Sequence, residues 1–427
     1  VGGVRVSGAD GSSARTTGVA DAAEGADVRV EVSGGLLRGT QGRYGPVFRS
    51  VPYAAPPIGA GRFAAPAAPV PWTGERDATT SGATSPMPDR RWFGELDMGP
   101  VLGSWVPGED YLTASVWTPS TSGRAPVLVW VHGGAFLAGS GNAPAYDGSA
   151  FARDGVVAVT CNYRLGVPGW LSVPGAPENR GVLDVIAALR WVRENIAAFG
   201  GDPDQVTVAG QSAGGMIVST LLTEPGAEGL FRRAISQSGG LHGLAPDRST
   251  AVGRRLADQL GVSHTVEGFA DVPDQRLVAA LSDLAVDGQG GLTPIAVVRE
   301  TATVRHGVDL LVGTTSQEAR LYQNPQMEGP IDELFRSSTQ ALLTGHAEAG
   351  GKAHRYLFDW RGGPYGACHA VELPFVFDTA DLPEFRGPRG LLGPDVPAGL
   401  VREVHDAWVG FVTSGDPGWS GEHRFTG

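Results

Sequence analysis

The sequence predicts an α/β protein in which a mostly parallel central sheet is covered by helices on both faces. The first observation is a set of short, continuously apolar runs, "APVLVWV", "GVVAVTC" and "QVTVAG". They lack the polar alternation of a strand with one wet face, so each reads as a strand buried on both sides. The second is a helical pattern between such runs. In "NRGVLDVIAALRWVRENIAAFGG" the residues Val182, Val185, Ile186, Leu189, Val192 and Ile196 recur at helical spacing, and the closing Gly-Gly is a stop signal. Strands alternating with helices require crossover connections, which put helices on both faces of a parallel sheet.

The remaining elements follow in order. Residues 1–27 contain neither an initiator Met nor an apolar core of a signal peptide, and read as a flexible leader. "DVRVEVSGGLLRGT" alternates like a hairpin. The segment from Tyr44 to Trp72 is proline-rich but aromatic, so an ordered extended stretch is expected rather than a linker. "YLTASVWTP" adds a strand, and "AGGMIVSTLL" a helix directly after "QVTVAG". "FRRAISQSG", "VDLLVGTTS" and "HRYLFDWR" read as later strands, and "VREVHDAWVGFVTSG" as a closing amphipathic helix. No internal repeat is visible.

Composition excludes several roles. Of 427 residues, 45 are acidic and 33 basic, a formal charge of −12 that disfavours nucleic acid and anionic membranes as partners. Two cysteines, Cys161 and Cys368, cannot form a disulfide framework and read as small buried thiols. No apolar run is long enough to span a membrane. A soluble protein is expected, a monomer or weak dimer, with cytoplasmic and secreted locations both open and a bacterial source favoured.

Chemistry concentrates in "VTVAGQSAGGM". Gly210, Ser212 and Gly214 form Gly-x-Ser-x-Gly between a strand and a helix. Such a turn is so sharp that only small neighbours fit, and it holds a strained serine above the carboxyl edge of the sheet. It also presents the Ala213 N–H at a helix N-terminus, where an anion is stabilised. The alternative is an ordinary tight βα turn. A nucleophilic serine needs further donors for a developing oxyanion, and the loop after "VWV", His132-Gly133-Gly134-Ala135, offers unshielded N–H groups. Its position upstream of the serine disfavours His132 as the base and favours a bracing role.

With these residues on view, the chain resembles the type-B carboxylesterases, the family that includes the cholinesterases, in its bacterial para-nitrobenzyl-esterase-like branch. "FRSVPYAAPPIGAGRF", "PWTGERDAT", "GEDYLTASVWTP", "VTCNYRLG" and "GACHAVELPFVF" carry the resemblance with the two glycine loops. It implies an α/β-hydrolase fold over 28–427, no cofactor and no metal, a small-molecule ester substrate, and a Ser–Glu–His triad. Helical lid segments fall around 241–300 and 320–350. These stretches are shorter than is usual in the family, which implies a reduced or partly missing lid.

The triad maps onto Ser212, Glu318 in the loop after "VDLLVGTTS", and His369 in the loop after "HRYLFDWR". Asp309, inside a strand, is a poorer acid, and His354 and His405 read as structural. Gly134, Ala135 and Ala213 are the implied oxyanion donors. Ser238 resembles a supporting serine of the triad, or is simply a strand-end hydroxyl. Gln211 stands where the family commonly has glutamate, which removes a negative charge beside the nucleophile. Ser85 and Tyr111 replace a disulfide pair of many relatives. Phe136 and Trp170 are candidate pocket walls, Trp170 alternatively a core residue. The resemblance also implies the pairs Arg62–Glu109 and Arg164–Asp184. The expected activity is hydrolysis of neutral esters with short-to-medium acyl chains through an acyl-enzyme. An amidase, thioesterase, lactonase or acyltransferase would use the same triad, and a non-catalytic adhesion or scaffold relative is a more distant alternative.

Overall fold

The computed structural model describes residues 23–286 and 293–427; most of the expected leader, residues 1–22, lies outside them. The expected boundary at residue 28 falls inside ordered structure. Asp27 opens the first strand, and the N–H of Gly25 already donates to Gln41 O at 2.8 Å.

One large sheet organises the protein. Its main path comprises β1 (Asp27–Val32), β2 (Gly35–Gly42), β3 (Gly45–Pro52), β4 (Thr113–Trp117), β5 (Ala125–Val131), β6 (Val157–Cys161), β7 (Gly201–Gln211), β8 (Arg233–Gln237), β9 (Asp309–Thr315), β10 (Ala353–Phe358) and β11 (Glu422–Phe425). Their spatial order is β1-β2-β3-β4-β6-β5-β7-β8-β9-β10-β11, and the short strand Glu75–Asp77 pairs with β2 off this path. Pairing is antiparallel from β1 through the β4–β6 contact and parallel from there on. The order reverses around β5, β6 and β7. Ligands of open α/β sheets bind outside the carboxyl ends of the strands at such a reversal.

The continuous apolar runs are explained by two cores, one on each face. Successive residues point to opposite sides of a strand. Thus Val129 and Val208 join one buried cluster, whereas their neighbours Trp130 and Ala209 join the other. Helices α1 (Arg180–Asn195) and α2 (Ala213–Leu221) add Val182, Val185, Leu189 and Ile217 to the first core. The C-terminal helix α6 (Ala398–Ser414) adds Trp408 and Phe411 to the second. Between them lie α3 (Pro246–Leu260), α4 (Asp274–Val286) and α5 (Glu328–Glu348), in the segments from which a lid was expected. Among the described residues no helix is long and apolar enough to cross a membrane.

Of the two expected arginine pairs, one forms and one does not. Arg164 grips Asp184 in a two-pronged bond, Nε–Oδ2 2.8 Å and Nη2–Oδ1 2.6 Å, with both side chains fully buried. Arg164 Nη1 also donates to Ala64 O at 2.6 Å, tying the proline-rich segment to the sheet loops. Arg62 pairs with Asp274 at the start of α4 rather than with Glu109, and donates to the carbonyls of Ala270 and Val272. Glu109 is exposed and stays hydrated, so the fold gains little from an ion pair there. Replacing Arg164 by Met strands the buried Asp184 carboxylate. We expect Arg164→Met to lose about 3–5 kcal/mol of stability, read as a lowered denaturant midpoint; an unchanged midpoint would contradict the burial of this pair.

Candidate active site

The carboxyl ends of β5, β7, β9 and β10 converge on one cavity of about 230 Å³, lined by Gly134, Ala135, Phe136, Gln211, Ser212, Ala213, His369 and largely apolar neighbours. Ser212 caps β7 at φ 56° and ψ −123°, a conformation that L-residues rarely adopt. The glycine after it is required by close approach. A Cβ on Gly214 would lie 2.0 Å from Val131 O, so any side chain would push β5 away from the turn.

The loop after β5 is equally constrained. Ala135 and Phe136 take left-handed φ values of 57° and 62°, and a Cβ on Gly134 would sit 2.0 Å from Ala138 O. Strain of this kind costs about 1–3 kcal/mol per residue. The loop accepts it while aiming Phe136 into the cavity. Beneath the loop, His132 stacks on Tyr163 with ring centroids 4.4 Å apart, and the Tyr163 hydroxyl donates to His132 O at 2.9 Å. Burial pushes the His132 imidazole down to about 4, so it stays neutral as a brace. Ala213 is the first residue of α2, and the early N–H groups of a helix have no partner within it. Among the described residues, the N–H groups of Gly134 and Ala135 enter no backbone hydrogen bond. All three residues line the cavity beside Ser212.

Glu318 and His369 are held against each other by β9, β10 and their following loops. Glu318 Oε2 lies 2.6 Å from His369 Nδ1. Its other oxygen, Oε1, accepts from Ser238 Oγ at 2.6 Å and from the Thr315 N–H at 2.8 Å. Ser238 is thus bound to Glu318 rather than idle at a strand end. The acid loop is fixed to α5 by the Ala319 N–H, which donates to Asp332 Oδ1 at 2.9 Å. His354 and His405 bond to Trp419 O, and to Val376 O and Asp154, away from the cavity.

Three features were not read from the sequence. Gln211 Nε2 lies 3.1 Å from His369 Nε2, and no hydrogen bond joins Ser212 Oγ to that ring. With Nδ1–H given to Glu318, Nε2 carries the lone pair and the Gln211 amide donates to it. Phe335 of α5 stacks on His369 at 4.6 Å. Glu372, three residues after the histidine, is fully buried, accepts from Gln237 Nε2 at 3.1 Å, and is pushed up to about 7 by burial and then by the charge of Glu318. Only Glu372 had a sequence signal, its closeness to His369. The other two depend on chain segments that meet only in the fold.

Trp170 corrects an expectation. It does not line the cavity. It is buried one layer back, its centroid 4.5 Å from that of Phe136, with its indole N–H donated to Arg164 O at 2.9 Å. An indole N–H needs a partner when buried, and the Arg164 carbonyl draws it away from the cavity. Cys161 and Cys368 are free and buried, and burial pushes the Cys161 thiol up to about 12, which leaves it unreactive.

The sheet order and the position of the Gly210–Gly214 turn define an α/β-hydrolase. The model of the carboxylesterase family matches residues 26–331, and the chain belongs to that family. It is a carboxylic ester hydrolase. Its sequence is 34% identical to the para-nitrobenzyl esterase of Bacillus subtilis (strain 168) over 92% of each chain. It is also 34% identical to the phenmedipham hydrolase of Pseudarthrobacter oxydans over 87% of each. Among solved structures, a thermophilic para-nitrobenzyl esterase superposes with a TM-score of 0.83 at 29% identity, covering 93% of this chain and 96% of its own. A carboxylesterase of Geobacillus stearothermophilus superposes with a TM-score of 0.78 at 32% identity, covering 92% of each.

Proposed function

We propose that Ser212, His369 and Glu318 hydrolyse carboxylic esters as nucleophile, general base and orienting acid, through an acyl-enzyme. The observation that carries this reading is the 2.6 Å Glu318–His369 bond in a cavity that also holds the strained Ser212. His369 Nε2 takes the Ser212 proton as Oγ attacks the ester carbonyl, which requires the Gln211 amide to yield that nitrogen. The N–H groups of Gly134, Ala135 and Ala213 hold the resulting oxyanion. His369 then gives the proton to the departing alcohol oxygen as the C–O bond breaks. Water, deprotonated by the same imidazole, releases the acid and restores the serine. Catalytic hydrogen bonds commonly tighten only when substrate arrives, so the free-state Gln211 contact is compatible with this sequence.

The substrates we propose have short-to-medium, uncharged acyl chains and bulky alcohols. Gly133, Gly134 and Ala135 are small, Phe136 offers an apolar wall, and Gln211 brings no negative charge that would hold a cationic alcohol. The segments around 241–300 and 320–350 close the cavity in this reading, since Leu244, Ala296 and Phe335 line it. The test is a set of p-nitrophenyl acetate to butyrate against amide and thioester analogues, with tert-butyl acetate and butyrylthiocholine added. Esters should be fastest. Faster amide or thioester cleavage would reassign the activity, and faster cleavage of the choline ester than of every neutral ester would remove the electrostatic part.

A further inference from the structure

Resting on that esterase reading, we infer that the leaving-group side of the cavity binds a carboxylate through Arg90, so that esters of carboxylate-bearing alcohols or phenols are preferred over their neutral counterparts. Among the described residues lining the cavity there are two arginines and two histidines, but no aspartate or glutamate. Arg90 is half-buried, and no carboxylate lies within 4 Å of its guanidinium among the described residues. Its guanidinium carbon lies 6.0 Å from the centroid of the Phe93 ring. Burial also pulls its pKa below the ordinary arginine value, with no carboxylate among the influences on it.

This is not for want of acids. The chain has 45 acidic and 33 basic side chains, and it pairs the adjacent Arg91 with Asp97 at 2.6 Å and the part-buried Arg76 with Asp110 at 2.5 Å. A partly desolvated cation without a counter-ion is costly, and a cleft that retains one is suited to an anion supplied by a ligand. His242, which also lines the cavity, is held below the usual histidine range by burial and then by the charges of Arg299 and Arg248.

Ring contacts set the side. Phe93 meets Tyr322 at 6.5 Å between centroids, and Tyr322 meets His369 at 6.1 Å. Arg90 therefore lies beyond Tyr322 on the His369 flank of Ser212. His369 protonates the departing oxygen, so the leaving group extends along this flank, and a carboxylate on its far end reaches the guanidinium.

The experiment uses the butyrate ester of 3-(4-hydroxyphenyl)propanoate and that of its methyl ester, two phenyl esters with the same acyl group and nearly the same leaving oxygen. For the wild type, kcat/KM should be about tenfold higher on the carboxylate, a gain that shrinks at high salt. Arg90→Met should bring the ratio of the two substrates to about one, and Arg90→Lys should keep part of it. A wild-type ratio at or below one, or a ratio unchanged in Arg90→Met, overturns the carboxylate site alone, since turnover of the neutral ester keeps the esterase reading. Inactivity of the wild type on both esters overturns the esterase reading itself. An acyl-side comparison, p-nitrophenyl hemiglutarate against p-nitrophenyl methyl glutarate, should show no such gain; a gain there, absent with the phenyl butyrates, overturns the leaving-group placement.

Discussion

Ser212→Ala is expected to lower turnover on p-nitrophenyl butyrate by about 10⁵–10⁶-fold while leaving the fold intact. The loss is that large because in the proposed mechanism the serine supplies the covalent step, which an intact His369 and glycine loop cannot replace. What should remain above the uncatalysed rate comes from binding and the proposed oxyanion donors, about 10³–10⁴-fold in known triad enzymes. The fold should survive because the Ser212 hydroxyl makes no hydrogen bond among the described residues. Only its backbone is engaged, its N–H donating to Gln237 O at 2.8 Å, and alanine keeps that bond. Two further measurements bound the claim. A fluorophosphonate should label Ser212 in the wild type and nothing in the variant, and the unfolding midpoint should hardly move. A variant within a hundredfold of the wild type would assign the nucleophile elsewhere.

The parts of this site that were legible from sequence are those written within a few residues. Gly210-Gln211-Ser212-Ala213-Gly214 is readable because the glycines answer a local constraint, the approach of the turn to Val131 and its neighbours. The same holds for Gly134. Buried strands were readable because both faces of β5, β6 and β7 enter a core, which keeps the runs largely apolar, with Thr160 and Thr207 as buried exceptions. Glu318 and His369 carry no local pattern. They were reached through resemblance and chain order, and their 2.6 Å contact spans 51 residues. What failed or was missed is tertiary. Arg62 found Asp274 because α4 packs beside it, Trp170 turned to a carbonyl, and Gln211 turned to the histidine. Nothing in the spacing of these residues encodes which way a side chain turns once several partners are within reach.

The Gln211 contact also sharpens what removing the acid's charge should do. In Glu318→Gln the side chain keeps its shape but has one oxygen and one amide nitrogen. The Oε1 position must accept from the Thr315 N–H and the Ser238 hydroxyl, so the oxygen takes that place and the NH₂ faces His369. An NH₂ cannot accept a hydrogen bond. His369 Nδ1 must therefore present its lone pair, and the ring proton moves to Nε2, the atom that receives the proton of Ser212 in the proposed mechanism. The variant is held in the wrong tautomer, and it also lacks the carboxylate that would stabilise an imidazolium. Turnover should fall about 10³–10⁴-fold, with KM nearly unchanged, because the substrate's own contacts are intact. The proton now on Nε2 points at the Gln211 amide, which must rotate to offer its oxygen. That exchange gives a second readout. Adding Gln211→Ala to Glu318→Gln removes the new acceptor of the wrong tautomer and should cost less than the two single losses combined. Glu318→Gln activity within tenfold of the wild type would show that Glu318 does not set the state of His369.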